Sequence, residues 1–155
     1  MSTDVAAILQ QHPFLRDLTA AQVDSIAQCG EVIEVAAGTL LAREGDIAQF
    51  FYIVLEGRFA IETGFPDRPP IILQTVDAGE VIGWSWVDAN PWLFDIRALS
   101  ACSCIALRAP EINALLNQDK DLGLQIMRRL NRVMTERLRA TRLQLLDLFG
   151  KGRAS

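Results

Sequence analysis

Histidine is almost absent from this chain, cysteine is scarce, and no long apolar run is present. A single histidine, His12, stands among 155 residues. That removes the usual partner of a nucleophilic serine, so Ser85 and Ser100 have no proton relay. It also removes the histidine pairs on which small β-rolls hold a metal ion. His12 precedes Pro13 and reads as a surface or helix-end residue. No paired acids sit at strand ends. An enzyme is therefore not expected, and no catalytic or metal-ligating residue is assigned. The three cysteines, Cys29, Cys102 and Cys104, are odd in number and lie in apolar patterns. They read as buried free thiols of a cytoplasmic protein rather than a redox site, and an iron–sulfur cluster usually takes four. No apolar stretch reaches the ~18 residues of a membrane helix. The opening MSTDVAAILQQHPF has no basic flank and carries Asp4, unlike a secretory signal. A cytoplasmic protein without membrane contact is the expectation.

What is present fits one globular domain. Half the residues are hydrophobic and 22% are charged, enough for a sizeable core and too apolar for disorder. Asp4 can cap a first short helix over Val5–Gln11, broken at His12-Pro13, and Thr19 can cap a second over Ala20–Gln28 before Gly30. From Glu31 the period changes to two. Val32, Glu34, Leu40, Ala42, Phe51, Ile53 and Leu55 alternate between turn signals at Gly38, Glu44-Gly45-Asp46, Glu56-Gly57, Thr63-Gly64, Pro66-Asp67, Pro69-Pro70 and Asp77-Ala78-Gly79. Eight short strands fit between about 31 and 108, as in a barrel or roll. Pro110 suits the first turn of a short helix over Glu111–Asn117. A long helix then starts at Asp119 or Lys120 and runs to about Phe149, with Gly150 as its stop. This divides the chain into N-terminal helices (1–30), strands (31–109), C-terminal helices (110–150) and a tail (151–155).

The stretch Gly79–Ala98, GEVIGWSWVDANPWLFDIRA, carries the strongest functional signal. Gly79 and Gly83 flank a turn that can aim several N–H groups at one point, a ready cradle for an anion. Glu80 can accept from a ligand hydroxyl or from backbone donors inside the turn. With Ile82, Gly83 and Ile96-Arg97-Ala98, this stretch resembles the phosphate-binding cassette of cyclic nucleotide-binding domains, as in the effector domain of the bacterial catabolite activator and fumarate/nitrate regulator superfamily. Gly38-Thr39-Leu40-Leu41, Glu44-Gly45-Asp46 and Phe51 to Gly57 extend the similarity to about residues 10–148. The resemblance implies an α+β fold: an eight-stranded antiparallel β-roll, jelly-roll-like and a double-stranded β-helix, with two short N-terminal helices, a short helix and a long C-terminal helix. It implies a regulatory, non-catalytic sensor and a cyclic nucleotide or other small molecule as the possible ligand. No cofactor is otherwise assigned.

Members that bind cyclic nucleotides carry an arginine in the cassette that pairs with the phosphate. The matching segment here is Pro91-Trp92-Leu93-Phe94, so the resemblance places Trp92 where the arginine would stand. An indole donates one hydrogen bond and carries no charge. Losing a buried charge-assisted pair costs ~2–5 kcal/mol, roughly 30- to several-thousand-fold in affinity. Cyclic nucleotide binding is expected to be impaired or altered. Where the family's long helix meets the base, Val133, Met134 and Thr135 align, and the apolar residues offer a base no hydrogen bond. Candidate ligand residues are Gly79, Glu80, Val81, Ile82, Gly83, Trp84, Ser85, Trp92, Leu93, Phe94, Arg97, Met134 and Thr135. Arg97 is the only cation of the segment, and Asp95 on its strand face can neutralise it. Two readings stay open for Trp84, Trp86, Trp92 and Phe94: the rings fill the cavity, or they line a site for a flat or apolar ligand.

Met127, Leu130, Met134, Leu138, Thr141, Leu145 and Leu148 form an apolar stripe along the long helix, three or four residues apart. In the resembled family this helix pairs with its twin, implying a parallel coiled-coil homodimer; the other reading is a helix folded back on its own roll. Arg128, Arg129, Arg132, Arg137, Arg139, Arg142, Lys151 and Arg153 gather in the last quarter. They form a solvated face or a nucleic-acid contact. The chain closes on Gly-Lys-Gly-Arg without a helix-turn-helix, so no direct DNA binding is expected and a protein partner would carry the output. The alternative function is a ligand-free interaction or scaffold subunit of a larger assembly, a redox enzyme among the options.

Overall fold

The computed structural model describes residues 4–153, and side chains up to 150. Two N-terminal helices, α1 (Val5–Gln10) and α2 (Ala20–Ala27), precede eight strands. Asp4 caps α1 through the Ala7 amide, and Thr19 and Gln22 form a reciprocal capping box at α2. Between these helices lies a 3-10 turn at Pro13–Leu15, which the alternation of residues did not reveal.

The strands are β1 (Gly30–Val35), β2 (Leu40–Ala42), β3 (Phe50–Glu56), β4 (Arg58–Phe65), β5 (Arg68–Asp77), β6 (Val81–Ile82), β7 (Asp95–Ala98) and β8 (Cys102–Arg108). They form two four-stranded antiparallel sheets, β1-β8-β3-β6 and β2-β7-β4-β5. The expected α+β roll is present. Two expected turns are corrected. Thr63-Gly64 lies inside β4, where the register with β5 shifts, and Pro69-Pro70 lies inside β5. β5 is the edge of its sheet, and the two prolines fall between the Phe65–Arg68 and Thr63–Ile71 pairs where the register with β4 shifts, positions that tolerate proline. β8 is buried at every position from Cys102 to Leu107, because helices pack on the outside of its sheet as the second sheet packs inside. Its strict alternation is lost for that reason.

Two helices complete the domain: α3 (Ala109–Gln118) and α4 (Lys120–Arg153). The latter has 34 residues, about 50 Å of helix. Gly150 does not stop it; the helix passes through Gly150 to Arg153, so the expected tail at 151–155 is helical as far as 153, and 154–155 lie outside the described residues. Leu122, Ile126 and Leu130 are buried in the domain's own core. Leu130 is 2% exposed and does not belong to an outward stripe, which corrects its expected place there. A row runs through Leu124, Met127, Asn131, Met134, Leu138, Thr141, Leu145 and Leu148 in alternating steps of three and four, exposed at each position except Met127, which is half-buried against the core. Leu138 is 71% and Leu148 66% exposed.

All three cysteines are free and buried. Burial pushes the Cys29 thiol up and that of Cys104 up to about 12, so neither is poised as a thiolate.

Of the two places expected for His12, the helix end is the one found: it caps the Pro13–Leu15 turn just after α1, and it is buried rather than on the surface. The Phe14 amide donates to its Nδ1 at 3.2 Å, which leaves Nε2 to carry the hydrogen and donate to the Val54 carbonyl at 3.0 Å. Protonation would set a second hydrogen against the Phe14 N–H. Burial lowers the His12 pKa below 6.5, against the smaller raising effect of the Val54 bond. Its contribution to stability is therefore complete above pH 6.5 and is lost as pH falls through the lowered folded-state value. Thermal melts between pH 8 and 5 should show a decline that is flatter in His12→Gln, where an amide can replace the donor without titrating.

Candidate ligand site

Main-chain pairing places the cassette. The Gly45 amide donates to the Trp92 carbonyl at 2.9 Å and the Trp92 amide to the Asp46 carbonyl at 2.8 Å, next to an Ile47–Pro91 bridge. This holds Trp92 at the rim of the roll with its ring inward. The indole is 8% exposed and stacks on Tyr52 with centroids 6.2 Å apart. Gly83 makes room for it. A Cβ there would lie 2.8 Å from Trp92 Cη2, and the residue has φ +100°. Gly79, at φ +90°, closes the turn in which the Asp77 amide donates to Glu80 Oε2 at 2.7 Å. Of the two roles open to Glu80, the backbone one is realised.

Trp86 belongs to the core. It is fully buried, stacks on Phe51 at 4.7 Å, and donates its indole N–H to the Gly83 carbonyl. It sits in a second 3-10 turn, Ser85–Asp88, whose Trp86 carbonyl accepts from Asn113 of α3. Trp84, Trp92 and Phe94 instead border the ligand region. With Val81, Ile82, Gly83, Ser85 and Leu93 they surround a hollow of about 20 Å³, space for about one water.

Arg97 is engaged elsewhere. Its Nε donates to both oxygens of the buried Glu62, at 3.2 and 3.3 Å, and Nη1 to the Gly38 carbonyl at 3.0 Å. The expected role of Arg97 toward a phosphate is corrected: the residue neutralises Glu62 across the β4–β7 pair and borders neither the hollow nor the groove beside it. Nor does Asp95 neutralise it, because Asp95 accepts from the Glu44 amide.

Beside the hollow, α4 crosses β5 and roofs a groove of about 370 Å³, within the range of small-molecule sites. Ile61, Leu73, Trp84, Leu93 and Phe94 form one side, and Met134 and Leu138 the other. The cation at its edge is Arg137, which the sequence reading left in the general basic face. Arg137 donates to the Thr75 carbonyl at 3.0 Å and lies 3.5 Å from Glu80, so it ties α4 to both β5 and the cassette. Thr141 lies one turn on, where its hydroxyl accepts from Gln74 Nε2 at 2.9 Å. The expected Thr135 is corrected: its hydroxyl donates to the Asn131 carbonyl and it does not border the groove, whereas Met134 does. The available signal for Arg137 and Thr141 was their spacing of four, two polar residues on one side of an amphipathic helix.

Gly79 and Glu80 face a different recess, toward Phe14 and Arg132. Chemically the region is an apolar slot with one paired cation. Among the described residues no group of three metal-ligating side chains exists, and no helix is long and apolar enough to cross a membrane.

The family model described as "Cyclic nucleotide-binding domain" matches residues 32–119. Among solved structures, a cyclic nucleotide-binding domain from Methylobacillus flagellatus superposes with a TM-score of 0.77 at 21% identity, over 92% of this chain and 81% of that one. The catabolite activator protein of Thermus thermophilus gives 0.69 at 22% identity, over 89% and 63%. The regulatory domain of Toxoplasma gondii PKA, crystallised with cAMP, gives 0.70 at 22% identity, over 85% and 49%. Among curated proteins nothing matches the chain.

Proposed function

The chain belongs to the cyclic nucleotide-binding domain family, and from that premise we propose that it is a dimeric, non-catalytic regulatory domain whose recognition of cyclic nucleotides is impaired. The observation that carries this reading is Trp92, seated against Gly83 so that only a hollow of about 20 Å³ is left beside it. Among the described residues no unpaired cation borders the hollow. Arg97 is committed to Glu62 and Arg137 to Glu80. A cyclic phosphate would have to displace an indole and then go without its charge partner.

Dimerisation through α4 is the second part of the proposal. The row from Leu124 to Leu148 keeps the three-four spacing of a two-stranded coiled coil, and Asn131 occupies one a-type position, where a lone polar residue specifies register and strand number. Met134, Leu138 and Thr141 belong to this row and also border the groove. A ligand in the groove, or its absence, would therefore act directly on the helix seam, and a separate protein would read the change.

Thermal unfolding tests the ligand part. At about 1 mM, a nucleotide with micromolar Kd would add about 4 kcal/mol, a shift of several degrees. Cyclic AMP, cyclic GMP and cyclic dinucleotides are each expected to leave the midpoint unchanged; a shift of several degrees with either mononucleotide would contradict the reading. The second reading, an interaction subunit with a permanently filled site, rests on the same small hollow. It is favoured if groove-sized apolar ligands also leave the midpoint unchanged and the protein is recovered from its source bound to a defined assembly.

A further inference from the structure

On the flank of α4 away from the apolar groove lies a cleft of about 490 Å³, formed against the Pro13–Asp17 segment. It shares no lining residue with the groove. Four guanidiniums line it, Arg16 from the loop and Arg128, Arg129 and Arg132 from the helix, against one carboxylate, Asp17. The surplus is three positive charges, in a chain whose formal net charge is −4.

Only one of the four is held. Arg129 donates to the Gln125 carbonyl at 3.1 Å, to Gln125 Oε1 at 3.0 Å and to the Arg16 carbonyl, which fixes the loop to the helix. Among the described residues, the side chains of Arg16, Arg128 and Arg132 have no hydrogen bond or ion pair, although acidic residues are more numerous than basic ones in the chain. Like charges facing one cleft without counter-charges repel. Burial and the neighbouring Arg132 both lower the pKa of Arg129, with Asp17 opposing. A bound anion would relieve that repulsion.

We propose that this cleft binds a small multivalent anion bearing a diphosphate group, gripped by Arg16, Arg128 and Arg132 around a fixed Arg129. The charge count selects the valence: a monoanion leaves most of the surplus, whereas a diphosphate cancels it. Guanidinium forks suit phosphate oxygens. The shape selects a small ligand over a duplex. The cleft is walled by Pro13 and Phe14, with Arg129 half-buried within it and Arg16, Arg128 and Arg132 exposed around its mouth, while Glu136 and Asp147 interrupt the basic character of the helix beyond it. Arg129 and Arg132 lie off the row from Leu124 to Leu148 and Arg128 flanks it beside Met127, so covering that row leaves Arg16, Arg129 and Arg132 accessible.

The full chain would be titrated calorimetrically at low salt with inorganic pyrophosphate, ADP, AMP, inorganic phosphate, sulfate and a short DNA duplex. Pyrophosphate is expected to bind at least tenfold more tightly than phosphate or sulfate, with affinity falling as salt rises. If ADP matches pyrophosphate and AMP does not, the diphosphate is what is recognised, with free and nucleotide-borne forms equivalent. Arg128→Gln with Arg132→Gln should weaken pyrophosphate by about 30-fold or more. Arg43→Gln with Arg139→Gln removes the same charge elsewhere and should leave affinity unchanged. Melting curves of both variants establish that they are folded. The proposal is overturned if pyrophosphate does not bind, if phosphate and sulfate bind equally well, if the two double variants lose affinity alike, or if only a short DNA duplex binds.

Discussion

Replacing Leu138 and Leu145 together by glutamate is expected to yield a folded monomer. Both side chains are more than half exposed, Leu138 at 71% and Leu145 at 52%, so neither contributes much to the domain's own core. In a parallel pair of α4 helices each would meet its counterpart, and burying a leucine contributes about 1.5–3 kcal/mol. Two positions on each of two chains amount to about 6 kcal/mol or more, beyond 10,000-fold in the dimer Kd. Sedimentation velocity should show a dimer for the native chain and a monomer for the variant, with an unchanged circular dichroism spectrum from the roll. Asn131→Ile should act in the opposite direction, tightening association while relaxing the restriction to two strands. A native chain that sediments as a monomer at tens of micromolar would contradict the pairing.

Truncating Trp92 to alanine is expected to destabilise the domain by about 3–5 kcal/mol. The indole stacks on Tyr52 and fills the space over Gly83, so its loss leaves a cavity next to the hollow and the groove. Chemical denaturation would measure the loss. The same variant should admit small apolar ligands that the native chain excludes, and those ligands should return part of the lost stability. Trp92→Arg removes the plug and restores a cation. It is expected to gain cyclic nucleotide affinity even as it loses stability, a combination that a purely structural role for Trp92 would not produce.

Much of this architecture is legible in the sequence because it is written locally. Asp4, Thr19 and Pro110 mark helix starts, and the glycine-rich turns set the strands apart. The errors have physical causes. Pro69-Pro70 signals a turn unless the strand is known to be an edge, which only the sheet order decides. Leu130 and Asn131 are adjacent on the helix, and the sequence does not say which faces the core; between 143 and 149 five of seven residues are apolar, so the stripe there has no clear side. Arg97 was the only nearby cation along the chain, but its partner is Glu62 on a neighbouring strand, and the cation at the groove comes from Arg137, forty residues away. Charge pairing is long-range in sequence, so local reading assigns the wrong arginine. The rings were divided the same way: tertiary packing puts Trp86 in the core and leaves Trp84, Trp92 and Phe94 at the ligand region.

The most direct test of the account is a calorimetric titration of the native chain and Trp92→Arg with cyclic AMP, under identical conditions. The native chain is predicted to give no heat of binding up to about 1 mM, and Trp92→Arg a measurable isotherm. Tight binding of cyclic AMP by the native chain would contradict the claim that an uncharged indole has closed the phosphate site.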